Sequence, residues 1–305
     1  MKNIIITCLL MCIAIPAIHC QLDNTPPGDG YFGEFVPRGM SLSTIFGEYR
    51  YFRDDSVMMY IPGGTFTMGD RLFPNSQSIQ KIHISHFYID RYEVSVSQYR
   101  QFCYASEREM PKQLPGSEDN HPVVNVSWEE ANLYAQWIGK SLPTEAQWEK
   151  AARGGHQIPQ WGVEEKPLPL YKNPLPIRIY TWGNTLPDVT GRYRCNYRAG
   201  DKFSSKGKDG YEFTAPGGKF VLYEGSPYRC SDLSGNVQEW CADFYQGKYQ
   251  RSDKDPQGPK TGKSHVIRGG GWNSDSKRIR VGYRAFGSSD YRSTSLGFRL
   301  VKNIE

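Results

Sequence analysis

Sulfur, imidazole and guanidinium groups are the side chains of this chain that could do chemistry, and their spacing narrows what that chemistry is. Of seven cysteines, Cys8, Cys12 and Cys20 fall in or beside an apolar N-terminal stretch, leaving Cys103, Cys195, Cys230 and Cys241. None is spaced Cys-x-x-Cys or joined to histidines at zinc spacing, so no metal–thiolate centre is indicated. Outside the cytosol four cysteines imply up to two disulfides, with three pairings open. His83 and His86 could share a sheet edge, a place where lone histidines are more often structural than catalytic. Arg268, Arg284 and Arg299 suggest an anion site or, more in keeping with a loop-rich domain, bracing of the core through Glu93, Glu145 and Glu239. There is no Gly-x-Ser-x-Gly elbow, His-Glu-x-x-His pair or phosphate-binding glycine loop.

The elements that would position such groups begin after an export signal. Lys2 precedes the apolar run from Ile4 to Ile18, which is too short for a membrane span. Cleavage would leave either an acylated Cys20, the candidate lipidation site, or Gln21 as the first residue. Removing residues 1–20 removes Lys2, so the formal charge of +5 becomes +4, and no concentrated basic reading motif points to nucleic acid. Residues 21–55 read as an extension or tether, and residues 56–303 as one domain. Within it, Val57 to Ile61 is strand-like, Thr65 to Gly69 alternates as a hairpin partner would, and a third strand is expected over Ile82 to Ile89.

Three helices are predicted from one device, a Ser or Thr followed three residues later by Glu or Gln. They start at Ser95, Ser127 and Thr144. Trp128, Ala131, Tyr134, Ala135 and Ile138 on the second, and Ala146, Trp148, Ala151 and Ala152 on the third, form faces that bury against a sheet. Gly154 to Gly225 has no period and is too long for a structureless loop, so something must hold it down.

An ordered series of blocks carries a resemblance across residues 57–302. They are Ile61-Pro62-Gly63-Gly64-Thr65-Phe66-Thr67-Met68-Gly69, Tyr92-Glu93-Val94-Ser95, His121-Pro122-Val123-Val124-Asn125-Val126-Ser127-Trp128, Leu142-Pro143-Thr144-Glu145-Ala146-Gln147-Trp148-Glu149, Tyr180-Thr181-Trp182-Gly183-Asn184, Gly235-Asn236-Val237-Gln238-Glu239-Trp240, and the terminal Arg268-Gly269-Gly270 to Gly297-Phe298-Arg299. Together they resemble the formylglycine-generating-enzyme, or sulfatase-modifying-factor, family. The resemblance implies an α+β, C-type-lectin-like fold with little regular secondary structure, several short antiparallel strands and about three helices.

The resemblance also implies two structural calcium sites. One would use Asn196, Asp209 and the carbonyls of Tyr197 and Tyr211; the other Asp232, Glu239 and the carbonyls of Gly235 and Val237. Catalytic members of the family hold copper on two nearby cysteines, but Ser274 stands at the first position and Asp275 to Arg280 contains no cysteine. A hydroxyl is neither soft nor acidic enough to substitute, so no copper and no catalytic residue are expected. The chain is similar in these respects to gliding-motility and type IX secretion lipoproteins, those of the GldK/PorK and GldJ kind. That similarity implies a non-catalytic exported structural or interaction protein with protein partners at the periplasmic face of the outer membrane. Two alternatives stand beside it: a retroelement-diversified receptor, varying at Asn273 to Ser276 and Phe286 to Ser295, and a formylglycine-generating or related oxidase.

Overall fold

Each of the three capping boxes opens a helix. In the computed structural model, Ser95, Ser127 and Thr144 accept the backbone N–H of Gln98, Glu130 and Gln147 at 3.2, 3.2 and 3.1 Å, and each of those side chains bonds back to the cap amide. The helices are α1 (Val96–Ala105), α2 (Trp128–Ile138) and α3 (Glu145–Arg153). Gly139 ends α2 in the left-handed region at φ 78°, a conformation that costs glycine nothing. The apolar face expected for α2 is buried except for Trp128, which is half-buried. α3 is buried nearly all round, so its charged Glu145, Glu149, Lys150 and Arg153 lie inside as well. The described residues are 36–304 without Thr44, Phe46, Gln77, 160–169, 200–207, 221–224 and 249–251. The export signal, Cys20 and most of the extension lie outside them.

Among the described residues thirteen short strands run in order: β1 (Met40–Leu42), β2 (Glu48–Tyr51), β3 (Ser56–Ile61), β4 (Gly64–Met68), β5 (Gln80–Ile84), β6 (Phe87–Asp90), β7 (Gln157–Pro159), β8 (Leu170–Lys172), β9 (Gln238–Phe244), β10 (His265–Arg268), β11 (Ala285–Gly287), β12 (Leu296–Gly297) and β13 (Val301–Asn303). They form a five-stranded sheet ordered β1-β2-β3-β6-β13, a four-stranded sheet ordered β11-β10-β9-β12, and the pairs β4-β5 and β7-β8. Side chains of a strand alternate between faces, and β3 feeds two interiors. Met58 and Tyr60 pack with α1 and α2, while Met59 and Ile61 pack with α3, β4 and β5.

Four expectations are corrected. Thr65 to Gly69 does not fold back on Val57 to Ile61; β3 is flanked by β2 and β6, and β4 pairs with β5 instead. A strand buried on both faces needs partners on both edges, and residues 40–51, read as irregular, supply one of them. Ile82 to Ile89 is two strands in two sheets, parted at Ser85, whose N–H and hydroxyl both donate to Asp255 at 2.7 Å. The four cysteines are buried thiols rather than disulfides. Cys103 sits in one core, Cys230 and Cys241 in the second and Cys195 in a third cluster, where burial pushes Cys230 up to about 11 and Cys241 well above the ordinary thiol value. The long aperiodic segment is pinned instead by side chains that satisfy its backbone. Arg178 donates to the Thr181 carbonyl at 3.1 Å, and Asn173 to that of Gly155 at 2.7 Å.

Candidate functional site

Strand β10 delivers Arg268 to the start of the terminal loop, and two glycines turn the chain away from it. Gly269 and Gly270 have φ of 90° and 66°, and a Cβ at Gly270 would lie 2.7 Å from the Arg278 carbonyl oxygen. Ser274 then closes a tight turn: its Oγ accepts the Gly271 N–H at 3.0 Å, its own N–H donates to the Gly271 carbonyl at 2.8 Å, and its carbonyl accepts Arg198 N–H at 2.9 Å. The Asp275 carboxylate accepts the amides of Lys277 and Arg278, both at 3.0 Å. Trp272 is tied to the Asn236 carbonyl through its N–H at 2.7 Å and packs edge-on against Phe213.

The three arginines brace the interior. Arg268 reaches Glu145 at 3.1 Å, Glu149 and the Val281 carbonyl, and its guanidinium lies 5.2 Å from the Trp148 ring centre. Arg284 forks onto Glu145 at 2.6 and 2.8 Å. Arg299 forks onto Glu239 at 2.7 and 2.9 Å and donates to the carbonyls of Asp90, Arg91 and Ser231. All five of its N–H groups are thereby used. Burial opposes its charge, but Glu239 outweighs that and raises its pKa. Glu93, expected to pair with an arginine, instead accepts Asn236 Nδ2 at 3.0 Å and the Val237 N–H at 3.3 Å. His83 stays structural in β5, its N–H donating to the Asp253 carbonyl.

Asn236, between the candidate ligands Gly235 and Val237, is bonded to the candidate ligand Asn196 of the other set. Asn236 Oδ1 accepts the Ala215 N–H at 2.9 Å and Asn196 Nδ2 at 3.3 Å, and its N–H donates to the Asn196 carbonyl at 2.8 Å. In the first set Asp209 accepts the amides of Tyr197 at 3.1 Å and Tyr211 at 3.0 Å. Burial pushes its carboxyl up, against the pull of those amides. In the second, Asp232 accepts the Gly218 N–H at 2.6 Å, while both Glu239 oxygens are engaged by Arg299 and one also by Trp148 Nε1 at 2.9 Å.

The sulfatase-modifying factor enzyme 1-like domain model matches residues 50–304. The chain belongs to the sulfatase-modifying-factor family. It is 33% identical over 301 residues to a formylglycine-generating enzyme of Thermomonospora curvata, covering 79% of this chain and 92% of that protein. It is 28% identical to the inactive C-alpha-formylglycine-generating enzyme 2 of Mus musculus, covering 82% and 86%. The structure of PvdO from Pseudomonas aeruginosa superposes with a TM-score of 0.63 at 23% identity, covering 86% of this chain and all of that one, which establishes the shared α+β, C-type-lectin-like sulfatase-modifying-factor fold.

Copper does not fit the residues present in this family member's terminal loop. Cu(I) asks for soft thiolates, and the Ser274 hydroxyl is buried and spent on the Gly271 amide. Cys195 packs against Ile279 of the same loop as a single thiol, 1% exposed. Calcium meets a mixed reception. Among the described residues no three Asp, Glu, His or Cys side chains form a metal cage by themselves. Yet burial, then Asp232, holds Glu93 well above the ordinary carboxylate range, with Glu239 adding to it against the pull of Arg299. Asp232 and Glu239 both raise Glu93, the mark of acidic groups set close together, which a hard cation replacing the proton would relieve. Glu93 was not among the sequence-derived ligands; its signal was the Tyr92-Glu93-Val94-Ser95 block. Glu149 was missed as an arginine partner because it looks like an ordinary helix-surface residue.

Asp243 is a further missed group. It caps α3, accepting the Glu145 N–H at 2.7 Å, and lines a cavity of about 360 Å³. Burial, then Glu145, pushes it up to about 7. The folded state therefore holds a proton that the unfolded chain releases near pH 4. Stability from this group is greatest below that pH and is lost as pH rises to about 7, by up to about 4 kcal/mol. Asp243→Asn keeps an acceptor for the amide, so its urea stability relative to the parent should rise steadily between pH 4.5 and 7.5. Parallel curves would mean Asp243 is ionised in the fold throughout.

Proposed function

We propose that this chain is a non-catalytic member of its family, an exported structural or interaction protein. The observation that carries the reading is Ser274: its hydroxyl is committed to closing the Gly271 turn, and no second sulfur occupies the loop to Arg280. The similarity to proteins named formylglycine-generating enzymes favours the oxidase alternative. Against it, the reaction needs redox-active sulfur, and this chain's thiols at Cys230 and Cys241 are buried and held protonated. A relative described as inactive shares most of its length with this chain. The test is incubation with Cu(I), oxygen and a cysteine-containing sulfatase peptide, reading aldehyde by mass spectrometry. No aldehyde above a protein-free control is expected; repeated turnover would overturn the reading.

The setting proposed for it is the periplasmic face of the outer membrane, in an assembly such as the type IX secretion and gliding-motility machinery. The support is the signal-like start, the candidate acylation at Cys20 and the sulfur-free terminal loop. Crosslinking in the native membrane with mass spectrometry would report acylation and neighbours together. The receptor alternative draws support from the exposed Asn273, Phe286 and Tyr291, but Ser274 is buried. A neighbouring template repeat in the genome would favour it.

Calcium is proposed as a structural ligand. Glu93 joins Asp232, Glu239 and the carbonyls of Gly235 and Val237 in one set; Asn196 and Asp209 with the carbonyls of Tyr197 and Tyr211 form the other. Binding to the folded state alone should raise the melting temperature with calcium, by about 2.7 kcal/mol of stability at a hundred times Kd. Asp209→Asn and Asp232→Asn should each blunt that rise. A melting curve indifferent to chelator would leave both sets without metal.

A further inference from the structure

Among the described residues three carboxyl groups line the cavity beside the start of α3, and two of them are matched by side chains. Glu145 holds the Arg284 fork at 2.6 and 2.8 Å and a further bond from Arg268 at 3.1 Å. Asp255 takes the Ser85 N–H and hydroxyl, both at 2.7 Å. Asp243 is the exception. It is 6% exposed, its Oδ2 accepts the Glu145 amide, and among the described residues no side chain donates to it. Arg284 is spent elsewhere: besides Glu145 it donates to the Gln246 carbonyl at 3.0 Å and lies 5.0 Å from the Tyr245 ring centre. Lys248, the other cation of the lining, is exposed.

A buried carboxyl that faces a cavity and lacks a side-chain donor is fitted to take one from a ligand. The sign of that ligand follows from the surroundings. Burial, then Glu145, raises Asp243 by more than the amides and Arg284 lower it, so its proton sits where the local field favours positive charge. A metal ion finds too few ligands, since among the described residues no three Asp, Glu, His or Cys side chains are grouped to hold one. An organic cation needs only the one carboxylate. It can also use the apolar part of the wall, which Met68, Ile82, Ala146 and Phe244 supply.

We infer that this cavity binds a primary ammonium group on a short apolar stem, the nitrogen donating to Asp243 and the stem lying along Met68, Ile82 and Phe244. The site is separate from the terminal loop and from both calcium sets. Binding carries a proton signature, because Asp243 must ionise to receive the ammonium. Below about pH 7 each bound amine therefore displaces a proton, and affinity rises with pH by up to about tenfold per unit before levelling off. The other charged or titratable groups around Asp243 are Glu145 on α3, Arg284 before β11, Lys248 and Asp255 between β9 and β10, and His265 on β10, whose pKa burial lowers.

The test titrates the full chain with n-pentylamine by calorimetry at about pH 5.5 and about pH 8, in buffers of different ionisation enthalpy, beside n-pentanol and pentanoate. Pentylamine should bind and the other two should not, with about one proton released at the lower pH and none at the higher. Asp243→Asn, which keeps an acceptor for the helix amide, should weaken binding about tenfold or more, and melting curves confirm that it is folded. Lys248→Ala should bind at least as tightly as the parent. Nα-acetyl-lysine methylamide separates the sources: binding equal to that of pentylamine identifies a protein lysine as the occupant, weaker binding a free amine. No pentylamine binding, equal binding of pentanol, or no proton release at the lower pH overturns the inference. Pentanoate binding that Lys248→Ala abolishes overturns it too, in favour of an anion site. None of these outcomes bears on the missing copper chemistry.

Discussion

Arg299→Met is expected to destabilise the fold by about 3–5 kcal/mol, because it removes one partner of a buried pair and strands the other. Glu239 would keep the Trp148 indole but lose the guanidinium fork on both oxygens, with Glu93 and Asp232 close by. The carbonyls of Asp90, Arg91 and Ser231 would each lose a donor at the same time, that of Arg91 keeping the Ser231 N–H. The double variant Arg299→Met/Glu239→Gln removes the stranded charge and retains an acceptor for Trp148, so it should recover a good part of the loss. Urea midpoints of the parent, both single variants and the double variant give the coupling directly. A single-variant cost under about 1 kcal/mol would show that the pair contributes little beyond packing.

The second large effect is steric. Gly235 has φ 104°, and an added Cβ would lie 2.4 Å from the Asn196 carbonyl oxygen and 3.3 Å from Cys195 Cβ. Backbone strain and overpacking each cost about 1–3 kcal/mol, so Gly235→Ala should lose roughly 2–6 kcal/mol. Gly210 provides the control, since its φ is nearly the same at 100° and nothing lies within 4 Å of its Cβ position. Gly210→Ala should therefore show the strain alone. Because the Asn236 N–H and the Asn196 carbonyl bond across this contact, Gly235→Ala should also weaken any calcium-induced rise in melting temperature, whereas equal losses in the two variants would mean that the close approach relaxes freely.

The helices were legible because their instructions are local: Ser95, Ser127 and Thr144 each carry a partner three residues on, and the structure uses all three. The positions of β3 and β4 were legible but their pairing was not. Val57 to Ile61 and Thr65 to Gly69 look like a hairpin over thirteen residues, yet β3 takes β2 and β6 as partners. Such pairing depends on which interior each face enters, which a short window does not record. The arginines could be assigned to carboxylates from the blocks that hold them, but Glu149 and Asp243 acquire meaning only when α3 is enclosed. Glu93 stood in a quoted block all along; what it lacked was its neighbour Asp232, well over a hundred residues away.

The alternation along β3 has a consequence for how the fold resists error. A slip of one residue would carry Met58 and Tyr60 into the chamber shaped for Met59 and Ile61, and the reverse. Each chamber therefore vetoes the mistake of the other. Alignment of that wall is checked twice, leaving the loops hung from it at liberty to diverge.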